Sequence, residues 1–453
     1  MTKEAGLAPR EKHKMHRYLP HFAARPVPRY TSYPTAAEFT DGIGGRDQAD
    51  AIAAIAPGDP ISLYLHIPYC HSICWYCGCN TGAVGRVERL TYYVEALVAE
   101  IAHVGRRCAG RVQAVHFGGG SPNALSPAQM LTVAGALRAH FDLSPDAEWA
   151  AEIDPRSFTA GHASALNAMG VGRLSVGAQT FAPIIQGAIG RIQPFATVAK
   201  TIALARNAGI DRINLDLMYG LPGQSLDDIA ATLAAARTLA PDRVAMFGYA
   251  HMPKLLPRQR RIDASTLPEP EARFWQRALA HDLLLEWGMQ AIGFDHFARP
   301  DDSLAIAART GQLRRNFQGF TDDPSPTLIG LGASAISQFD GLIVQNEKHV
   351  GRYRMLAANG IDAGVRGVRR DAEDRLRARV IEQLLCTGRF NLGRLTAAIR
   401  PPRHAWDELC DAGIVTRDGD EVSVTPSGQP YARLAAVLFD RHRGPEARFS
   451  QAI

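Results

Sequence analysis

The sequence lacks any long hydrophobic segment. No apolar run of 18 or more residues occurs in the 453-residue chain, whereas a membrane-spanning helix needs about 20 such residues. Residues 1–10 also lack the apolar stretch that a signal peptide carries. We therefore expect a soluble, cytoplasmic protein with no membrane span. Its 46% hydrophobic and 21% charged content is that of an ordinary globular chain.

The sequence also contains little lysine. Arginine supplies most of the 50 basic residues. Guanidinium groups suit the planar recognition of carboxylates, but genome composition produces the same bias, so the excess carries little weight. The formal net charge is only +5. We expect no nucleic acid partner.

The cysteines do not form the pattern of a disulfide framework. There are seven, an odd number, and four of them crowd into positions 70–79. Such crowding is typical of thiolate chemistry in a reducing compartment. The other three, Cys108, Cys386 and Cys410, are scattered through helix-like segments, and we expect them to be buried free thiols.

Cys70, Cys74 and Cys77 have the spacing C-x3-C-x2-C. Three thiolates can hold three irons of a 4Fe–4S cubane and leave the fourth iron open, whereas an electron-transferring cluster normally has four cysteines. Cys79 is only two residues from Cys77, which is awkward for two corners of one cubane. A zinc site usually needs a second C-x2-C knuckle, and the sequence has none. The pattern favours a cluster with an open iron over these two alternatives.

From Ile61 onward, short β-rich runs alternate with longer helical patterns. Six such units in series favour a parallel sheet, either open or closed into a barrel. The predicted strands are 62–67, 112–117, 149–153, 173–176, 212–218 and 243–247. The predicted helices are 92–108, 127–141, 160–169, 196–208 and 226–239.

Polar or glycine-rich residues stand at the end of each predicted strand. Buried parallel strands are otherwise almost wholly apolar, and the carboxyl ends of barrel strands form one active face. We therefore predict a partial barrel whose strand ends converge on a site. In strand order the residues are Cys70, Gly118 to Ser121, Glu152 and Asp154, Gln179, Asp216, and Tyr249 to His251.

Three regions are expected along the chain. Residues 1–45 are rich in proline, arginine and tyrosine and are predicted to form an ordered arm or lid. Residues 46–350 contain the barrel pattern. Residues 351–453 are predicted to form a mainly helical domain with a small β-hairpin at 413–425, and the winged-helix character of this region does not by itself imply DNA binding.

Ten motifs in order resemble the oxygen-independent coproporphyrinogen III oxidases of the radical S-adenosylmethionine superfamily. The resemblance runs from about residue 25 to the terminal segment Phe449 to Ile453. The motifs are Arg29–Ala36, Tyr64–Cys70, Cys77–Cys79, Phe117–Pro122, Glu152–Arg156, Asn214–Pro222, Gly248–His251, Asp295–Pro300, Arg315–Gly319 and Ala333–Ser337.

The resemblance implies oxidative decarboxylation of the ring A and B propionates of coproporphyrinogen III to vinyl groups, which gives protoporphyrinogen IX. It implies a 4Fe–4S cluster on Cys70, Cys74 and Cys77 and two molecules of S-adenosylmethionine. We also expect a reduced electron donor of the flavodoxin or ferredoxin type and a monomeric enzyme. The alternatives are a haem chaperone, whose family typically lacks the arm and the fourth cysteine, and another radical enzyme on the same scaffold.

Further site residues follow from the resemblance, position by position. Purely structural roles remain open for several of them: a structural turn for the glycines, a hydrogen-bonded carboxylate for Asp216 and a surface side chain for Arg191. The residues expected to contact the first S-adenosylmethionine are Tyr64, Gly119, Glu152 and Ile336. Those expected at the second are Tyr76, Gly120, Ser121, Gln179, Arg191, Asp216 and Ala250.

Cys79 and the arm are candidates for contact with the substrate or the second cofactor. The arm residues Arg29, Tyr30 and Tyr33 are expected to close over the site, although an aromatic core contact is an equal alternative for both tyrosines. His296 and Arg299 are candidates for binding substrate carboxylates.

Two positions depart from the family pattern. Thr180 stands where the family usually has an acidic residue, which puts any role of that carboxylate in doubt. Ser121 replaces a common threonine conservatively.

Overall fold

The strands of the structure carry most of its architecture. The computed structural model describes residues 16–443, so residues 1–15 of the predicted arm and the terminal motif Phe449 to Ile453 lie outside the described residues. The strands are β1 (Pro60–Ile67), β2 (Tyr69–Cys70), β3 (Gly82–Ala83), β4 (Arg111–Gly119), β5 (Asp142–Ile153), β6 (Val171–Gln179), β7 (Arg212–Tyr219), β8 (Arg243–Gly248), β9 (Gln290–Ile292), β10 (His296–Ala298), β11 (Arg314–Asn316), β12 (Gly319–Thr321), β13 (Thr327–Leu331), β14 (Ile336–Gln338), β15 (Leu342–Asn346), β16 (Gly364–Arg369), β17 (Arg389–Asn391), β18 (Val415–Asp418) and β19 (Glu421–Val424).

The helices cover the outer face of the sheet and form much of the C-terminal region. None of them, within residues 16–443, is long and apolar enough to cross a membrane. They are α1 (Pro20–Ala23), α2 (Gly45–Ala53), α3 (Glu88–Gly105), α4 (Pro127–His140), α5 (Ala160–Met169), α6 (Pro183–Ala188), α7 (Phe195–Asn207), α8 (Leu226–Thr238), α9 (Pro270–Glu286), α10 (Ser303–Thr310), α11 (Val350–Ala358), α12 (Ala372–Thr387), α13 (Arg403–Asp411) and α14 (Ala432–Ala436).

The six predicted strands are adjacent and parallel, in the order β1-β4-β5-β6-β7-β8. Their main sheet ends at β16 on one side and at β9 on the other, so the barrel is open. This arrangement confirms the predicted fold class, a partial barrel of strand-and-helix units. All six strand ends lie at one edge of the sheet, where the connections to the following helices begin.

Local sequence explains why these elements form where they do. On β1, the alternate residues Ile61, Leu63, Leu65 and Ile67 are fully buried, as expected for a parallel strand covered by helices. Helix α4 begins at a capping box, in which the Ser126 hydroxyl accepts from the Gln129 backbone N–H. Because of sequence signals of this kind, most predicted helix ends lie within one residue of the observed ends. Helix α3 is the exception: it starts four residues earlier and ends three residues earlier than predicted.

Strands outside the six-unit pattern extend the sheet at both sides. β13 runs parallel to β1, while β14, β15 and β16 follow as antiparallel strands. The sheet therefore continues to Arg369, beyond the boundary expected at residue 350. The arm also touches this extension, since Thr40 bridges Gly367. The division of the chain into three domains stays a prediction.

The C-terminal region contains the predicted hairpin, β18 and β19, beside α12, α13 and α14. Its core includes the arm: Phe22, Val27, Tyr30 and Tyr33 are buried with Trp406 and its neighbours. The arm is thus a wall between the barrel and the C-terminal helices. Its role as a lid over the site stays a prediction.

A buried ion pair holds the end of the parallel sheet to the segment that follows β10. The Arg243 side chain is 3% exposed, and its Nε donates to Asp302 Oδ1 at 2.8 Å. Its Nη2 donates to the Ser303 hydroxyl at 2.9 Å. Removing one partner of such a pair leaves a buried charge without compensation.

We expect Arg243→Met to lower the free energy of unfolding by about 3 kcal/mol, because Asp302 then remains buried without its main cation. Chemical denaturation followed by circular dichroism measures the change. The control is Arg212→Met at the exposed start of β7. Equal stability of the two variants would contradict the role given to this ion pair.

Candidate active site

A cavity of about 700 Å³ opens at the carboxyl ends of the parallel strands. It collects residues from every one of the six predicted strand ends and from the arm. Most of the predicted site residues line it: Arg29, Cys70, Cys74, Tyr76, Cys77, Cys79, Gly119, Gly120, Ser121, Glu152, Gln179, Arg191, Asp216 and Ala250.

The cysteine loop follows β1 and β2 and carries its sulfur atoms into this cavity. Cys70 and Cys74 are buried, Cys77 is half-buried and Cys79 is exposed, and all are free thiols. The Ser121 hydroxyl donates to Cys70 Sγ at 3.4 Å. The Thr81 hydroxyl also lies 3.3 Å from Cys70 Sγ. Burial raises the pKa of the Cys70 thiol, and these two hydrogen bonds partly offset that effect.

Two arginines and one aspartate surround Cys74. Arg156 Nη2 and Arg191 Nη1 each donate to Cys74 Sγ at 3.3 Å. Both arginines also pair with Asp154, at 2.6 and 3.4 Å. Although burial acts in the opposite direction, Arg191 and Arg156 hold the pKa of Asp154 below its ordinary value. The arrangement places positive charge beside a sulfur that becomes negative when it binds iron.

The glycine turn after β4 lets the cysteine loop approach closely. The Gly120 N–H donates to the Ile67 carbonyl at 2.8 Å, and the Ser121 N–H donates to the Tyr69 carbonyl at 2.8 Å. A Cβ on Gly120 would lie 2.6 Å from the Tyr69 carbonyl oxygen. Gly119 has a φ of +104°, which only glycine adopts without strain. The motif is therefore required by packing, and it leaves backbone groups facing the cavity.

The residues expected at the first S-adenosylmethionine lie on neighbouring strands. Glu152 faces the cavity, and its Oε1 lies 3.2 Å from His116 Nε2. Tyr64 stands behind the lining, with its ring stacked on His116. Ile336 also lies outside the lining, on β14, where its backbone packs against Gly330, the register partner of Tyr64. Of the four expected residues, Gly119 and Glu152 reach the cavity and the other two support its wall.

The seven residues expected at the second S-adenosylmethionine all line the cavity. Asp216 accepts hydrogen bonds from the Ser175 hydroxyl and from Asn214 Nδ2, both at 2.8 Å. Burial raises the pKa of Asp216 to about 6, against the lowering effect of the Ser175 hydrogen bond. Gln179 has a φ of +64°, and such backbone strain is often found at functional sites.

Cys79 differs from the three candidate ligands in its contacts. Its backbone N–H donates to Cys77 Sγ at 3.4 Å. The hydrogen bond with the Cys79 side chain lowers the pKa of Cys77, and the same shared proton raises the pKa of Cys79. Cys79 thus supports Cys77 and exposes its own sulfur at the cavity.

Four predicted substrate residues lie away from the cavity lining. Tyr30 and Tyr33 are buried in the C-terminal core, where the Tyr30 hydroxyl donates to Asp440 and the Tyr33 hydroxyl accepts from the Arg441 N–H. His296 pairs with Asp295 behind Phe247. The two tyrosines make the aromatic core contacts of the alternative, with partners near the end of the chain, and their closing over the site stays a prediction.

Arg299 points to the opposite edge of the sheet. It follows β10, which runs antiparallel to β8, so the end of β10 lies beside the beginning of β8. The Arg299 side chain pairs with the exposed Asp301 there. Arg299 therefore does not line the large cavity, and its binding of substrate carboxylates stays a prediction that this position does not support.

Thr180, the departure from the family pattern, is fully buried outside the cavity lining. Its hydroxyl lies 3.2 Å from the Thr232 hydroxyl and accepts from the Ala182 N–H at the start of α6. The Thr180 hydroxyl therefore stabilises the turn before α6, and its side chain does not line the cavity.

Several cavity residues were not singled out from the sequence. Arg156 lies in the quoted Glu152–Arg156 motif, which could have pointed to it. Gln259 donates to the carbonyls of Tyr76 and Ala250, and Arg258 Nη2 donates to the Thr81 carbonyl at 2.9 Å. These two lie in a short 3-10 helix, Pro257–Arg261, which is too short to show a periodic pattern, so only the structure reveals them.

The residues present fit an iron–sulfur cluster and a carboxylate-bearing cofactor. Three cysteine sulfurs face one space beside hydrogen-bond donors, as thiolate ligands of such a cluster require. Arg191 Nε is buried and lacks a hydrogen-bond partner among the described residues. The glycine turn leaves a space that a side chain would fill.

Comparisons with known proteins agree with this geometry. The profile of the Radical SAM superfamily matches residues 64–236. The "Coproporphyrinogen III oxidase, anaerobic 1" of Cereibacter sphaeroides is 42% identical over 440 residues, which cover 95% of this chain and 97% of that protein. The chain belongs to the family of oxygen-independent coproporphyrinogen III oxidases.

Other members of the coproporphyrinogen III oxidase family give the same result. The oxygen-independent coproporphyrinogen III oxidase of Escherichia coli is 37% identical over 442 residues, 94% of each chain. A solved structure of coproporphyrinogen III oxidase from Escherichia coli, described as a radical SAM enzyme, superposes with a TM-score of 0.86 at 35% identity. It covers 92% of this chain and 100% of that chain. The 4Fe–4S cluster and S-adenosylmethionine expected from the sequence are the cofactors of this family, whereas their site residues and the number of S-adenosylmethionine molecules stay predictions.

We expect Cys79→Ser to retain the cluster, since Cys79 is not one of the three candidate ligands and contacts Cys77 through its backbone N–H. Cys77→Ser should lose it. Iron analysis and visible absorbance after anaerobic reconstitution measure the difference, with about four irons per chain in the wild type. Cys108→Ser is the control. Loss of iron from the Cys79 variant would show that the ligands are misassigned.

The Asp216 pKa predicts a pH-dependent stability. Burial raises the folded pKa of Asp216 to about 6, above the ordinary value of an aspartate. The carboxyl therefore stabilises the fold while it is protonated, and this stabilisation is lost as the pH rises through about 6. Asp216→Asn cannot ionise. Its free energy of unfolding relative to wild type should grow by about 1 kcal/mol between about pH 5 and pH 8.

Anaerobic chemical denaturation at several pH values measures this difference. Asp211→Asn, at an exposed position, is the matched control and should parallel the wild type. Parallel curves for Asp216→Asn as well would contradict the raised pKa.

Proposed function

We propose that the chain catalyses the oxygen-independent oxidative decarboxylation of coproporphyrinogen III to protoporphyrinogen IX. The propionates on rings A and B become vinyl groups: each loses carbon dioxide, one hydrogen atom to a 5′-deoxyadenosyl radical and one electron to an external one-electron acceptor. One observation carries the proposal: a member of this family brings three cysteines and the strand-end polar groups to a single cavity.

The chemistry explains the cofactors. The hydrogen to be removed lies on an unactivated carbon, from which no protein acid or base takes a proton. When bound, the cluster and S-adenosylmethionine supply a 5′-deoxyadenosyl radical that is able to abstract such a hydrogen atom. Cys70, Cys74 and Cys77 would hold the cluster. The task of the remaining residues is to position the bound molecules and to exclude side reactions.

Two positions for S-adenosylmethionine are part of the proposal. Glu152 and the Gly119 backbone, supported by Tyr64 and Ile336, would bind the molecule whose amino and carboxylate groups meet the open iron. The second position uses the other cavity residues. Arg191 suits a methionyl carboxylate because it is buried with an unpartnered Nε. Asp216 would accept hydrogen bonds from ribose hydroxyl groups.

Substrate binding needs cations, because coproporphyrinogen III presents several propionates. Arg29 lines the cavity, and its Nη2 donates to the Gly248 carbonyl at 2.9 Å. Arg258 lines the same cavity and has a buried Nη1 without a partner among the described residues. We assign these two arginines to the substrate carboxylates and Cys79 to the neighbourhood of the reacting ring.

The arm contributes to the exclusion of water and oxygen. Val27, Pro28 and Arg29 form one side of the cavity, and burial of Tyr30 and Tyr33 anchors that side to the C-terminal core. A radical site needs this shielding because small molecules quench radicals.

The electron donor, the cellular compartment and the oligomeric state are also proposals. Radical S-adenosylmethionine enzymes need a reductant, and a flavodoxin- or ferredoxin-type protein is the proposed source. The free thiols suit the reducing cytoplasm. We propose a monomer, since one chain supplies the whole cavity.

Anaerobic turnover tests the function. Reconstituted protein with dithionite, S-adenosylmethionine and coproporphyrinogen III should yield protoporphyrinogen IX, carbon dioxide and two molecules each of methionine and 5′-deoxyadenosine per substrate. Chromatography of the products measures these yields. Cys74→Ser should abolish turnover, while Cys108→Ser should retain it.

Two results would overturn the proposal. Tight haem binding without carbon dioxide or 5′-deoxyadenosine would identify a haem chaperone. A methylated product with S-adenosylhomocysteine would identify a methyltransferase on the same scaffold.

A further inference from the structure

A second cavity, of about 390 Å³, lies on the outer side of the cysteine loop. Residues 80–82 form one wall, and the segment that enters α11 forms the other. Thr81 lines both this outer cavity and the large one. Its hydroxyl lies 3.3 Å from Cys70 Sγ. Only one residue therefore separates the outer surface from a candidate cluster ligand.

Hydrogen bonds connect the same wall to the sheet and to α11. The Asn80 carbonyl lies 3.1 Å from His66 Nε2, and Asn80 Nδ2 donates to the Lys348 carbonyl at 3.4 Å. A path through few atoms thus runs from the surface to Cys70. Electron transfer through protein slows steeply with distance, so a short path of this kind suits the entry of an electron.

Basic residues surround the outer cavity and form what we call the basic patch. Its cavity-lining members are Arg89, Lys348, His349 and Arg354, and the exposed Arg352 lies on the same helix as Arg354. Two of the guanidinium groups are held by aromatic rings: Arg89 lies over Tyr69 and Arg354 over Tyr92. The patch is therefore partly ordered before any partner arrives.

The acidic groups beside the patch are fewer than the basic ones. Glu347 is mostly buried, accepts from the His349 backbone N–H at 2.7 Å and forms a loose ion pair with Arg352 at 3.9 Å. Helix α3 exposes Glu88 and Glu95. Exposed apolar side chains lie among the cations on the same two helices: Tyr92 is 49% exposed and Met355 is 60% exposed. Arginine, tyrosine and methionine are the residue types enriched at protein interfaces.

The large cavity is not suited to the docking of a protein that reduces the cluster. It has to admit S-adenosylmethionine and a porphyrinogen, so a protein that reduces the cluster needs another approach. The outer cavity offers one at the opposite side of Thr81. Electron-transfer partners form small, transient interfaces that are guided by complementary charge.

We propose that the basic patch is the docking surface for an acidic electron-transfer protein of the flavodoxin or ferredoxin type. The inference rests on the proposed function, which requires a reductant. The docked protein is oxidised by one electron, and the cluster held by Cys70, Cys74 and Cys77 is reduced by the same electron. Two such transfers serve the two propionates of one substrate molecule.

Charge reversal at the patch tests the proposal. The variant is Lys348→Glu with Arg352→Glu, at two exposed positions. The matched control is Arg394→Glu with Arg403→Glu, two exposed residues of the C-terminal region that line neither cavity. Affinity for an acidic bacterial flavodoxin is measured by calorimetry with the reconstituted proteins at low and high salt.

The patch variant should bind the flavodoxin at least about tenfold more weakly at low salt. High salt should weaken wild-type binding, and the control should match the wild type. Turnover driven by flavodoxin should fall with the affinity. Turnover driven by dithionite should be unchanged, because a small reductant does not need the patch.

The outcomes separate this inference from the proposed function. Unchanged affinity of the patch variant, or an equal loss in the control, overturns the docking surface. Equally tight binding of a short single-stranded RNA to the patch at the same salt overturns it too. Failure of the wild type to turn over with dithionite would count against the proposed function alone, since the affinity measurements do not depend on it.

Discussion

The close contact between the cysteine loop and the glycine turn after β4 is the constraint on which the site depends. Two backbone hydrogen bonds at 2.8 Å join these segments, and they form only because Gly120 has no side chain. They fix Cys70 relative to the ends of β1 and β4. Since the neighbouring strands are in register with these two, every other strand end takes its place around the same space. A rigid sheet positions a site more accurately than independent loops do.

The charges around Cys74 show how the fold tolerates a buried group of ions. Arg191 is 6% exposed, and an isolated buried guanidinium would be costly. Asp154 offsets part of this cost, and the Gly177 carbonyl accepts from Arg191 Nη2 at 2.7 Å. The remaining positive charge of Arg191 faces the sulfur of Cys74. The site is therefore arranged for anionic occupants before they bind, so little rearrangement is needed when they do.

Much of this architecture could be predicted from the sequence, because parallel strands place their ends at one edge whatever the loops do. The polar residue after each apolar run therefore identified the lining, as for Glu152 and Asp216. Contacts across long sequence distances could not be predicted in this way. The sequence makes Tyr30 a candidate site residue, and only the structure shows that its hydroxyl bonds to Asp440. The position of Arg299 depends on the direction in which β10 runs. A strand of three residues has too short a sequence pattern to predict that direction.

The arm is held by the far end of the chain. Tyr30 and Tyr33 bond to Asp440 and Arg441, and the adjacent Val27 and Pro28 form a side of the large cavity. Residues about 410 positions apart in the chain are therefore tied together beside the large cavity. Any loosening of the segment around Asp440 would also loosen that side of the site.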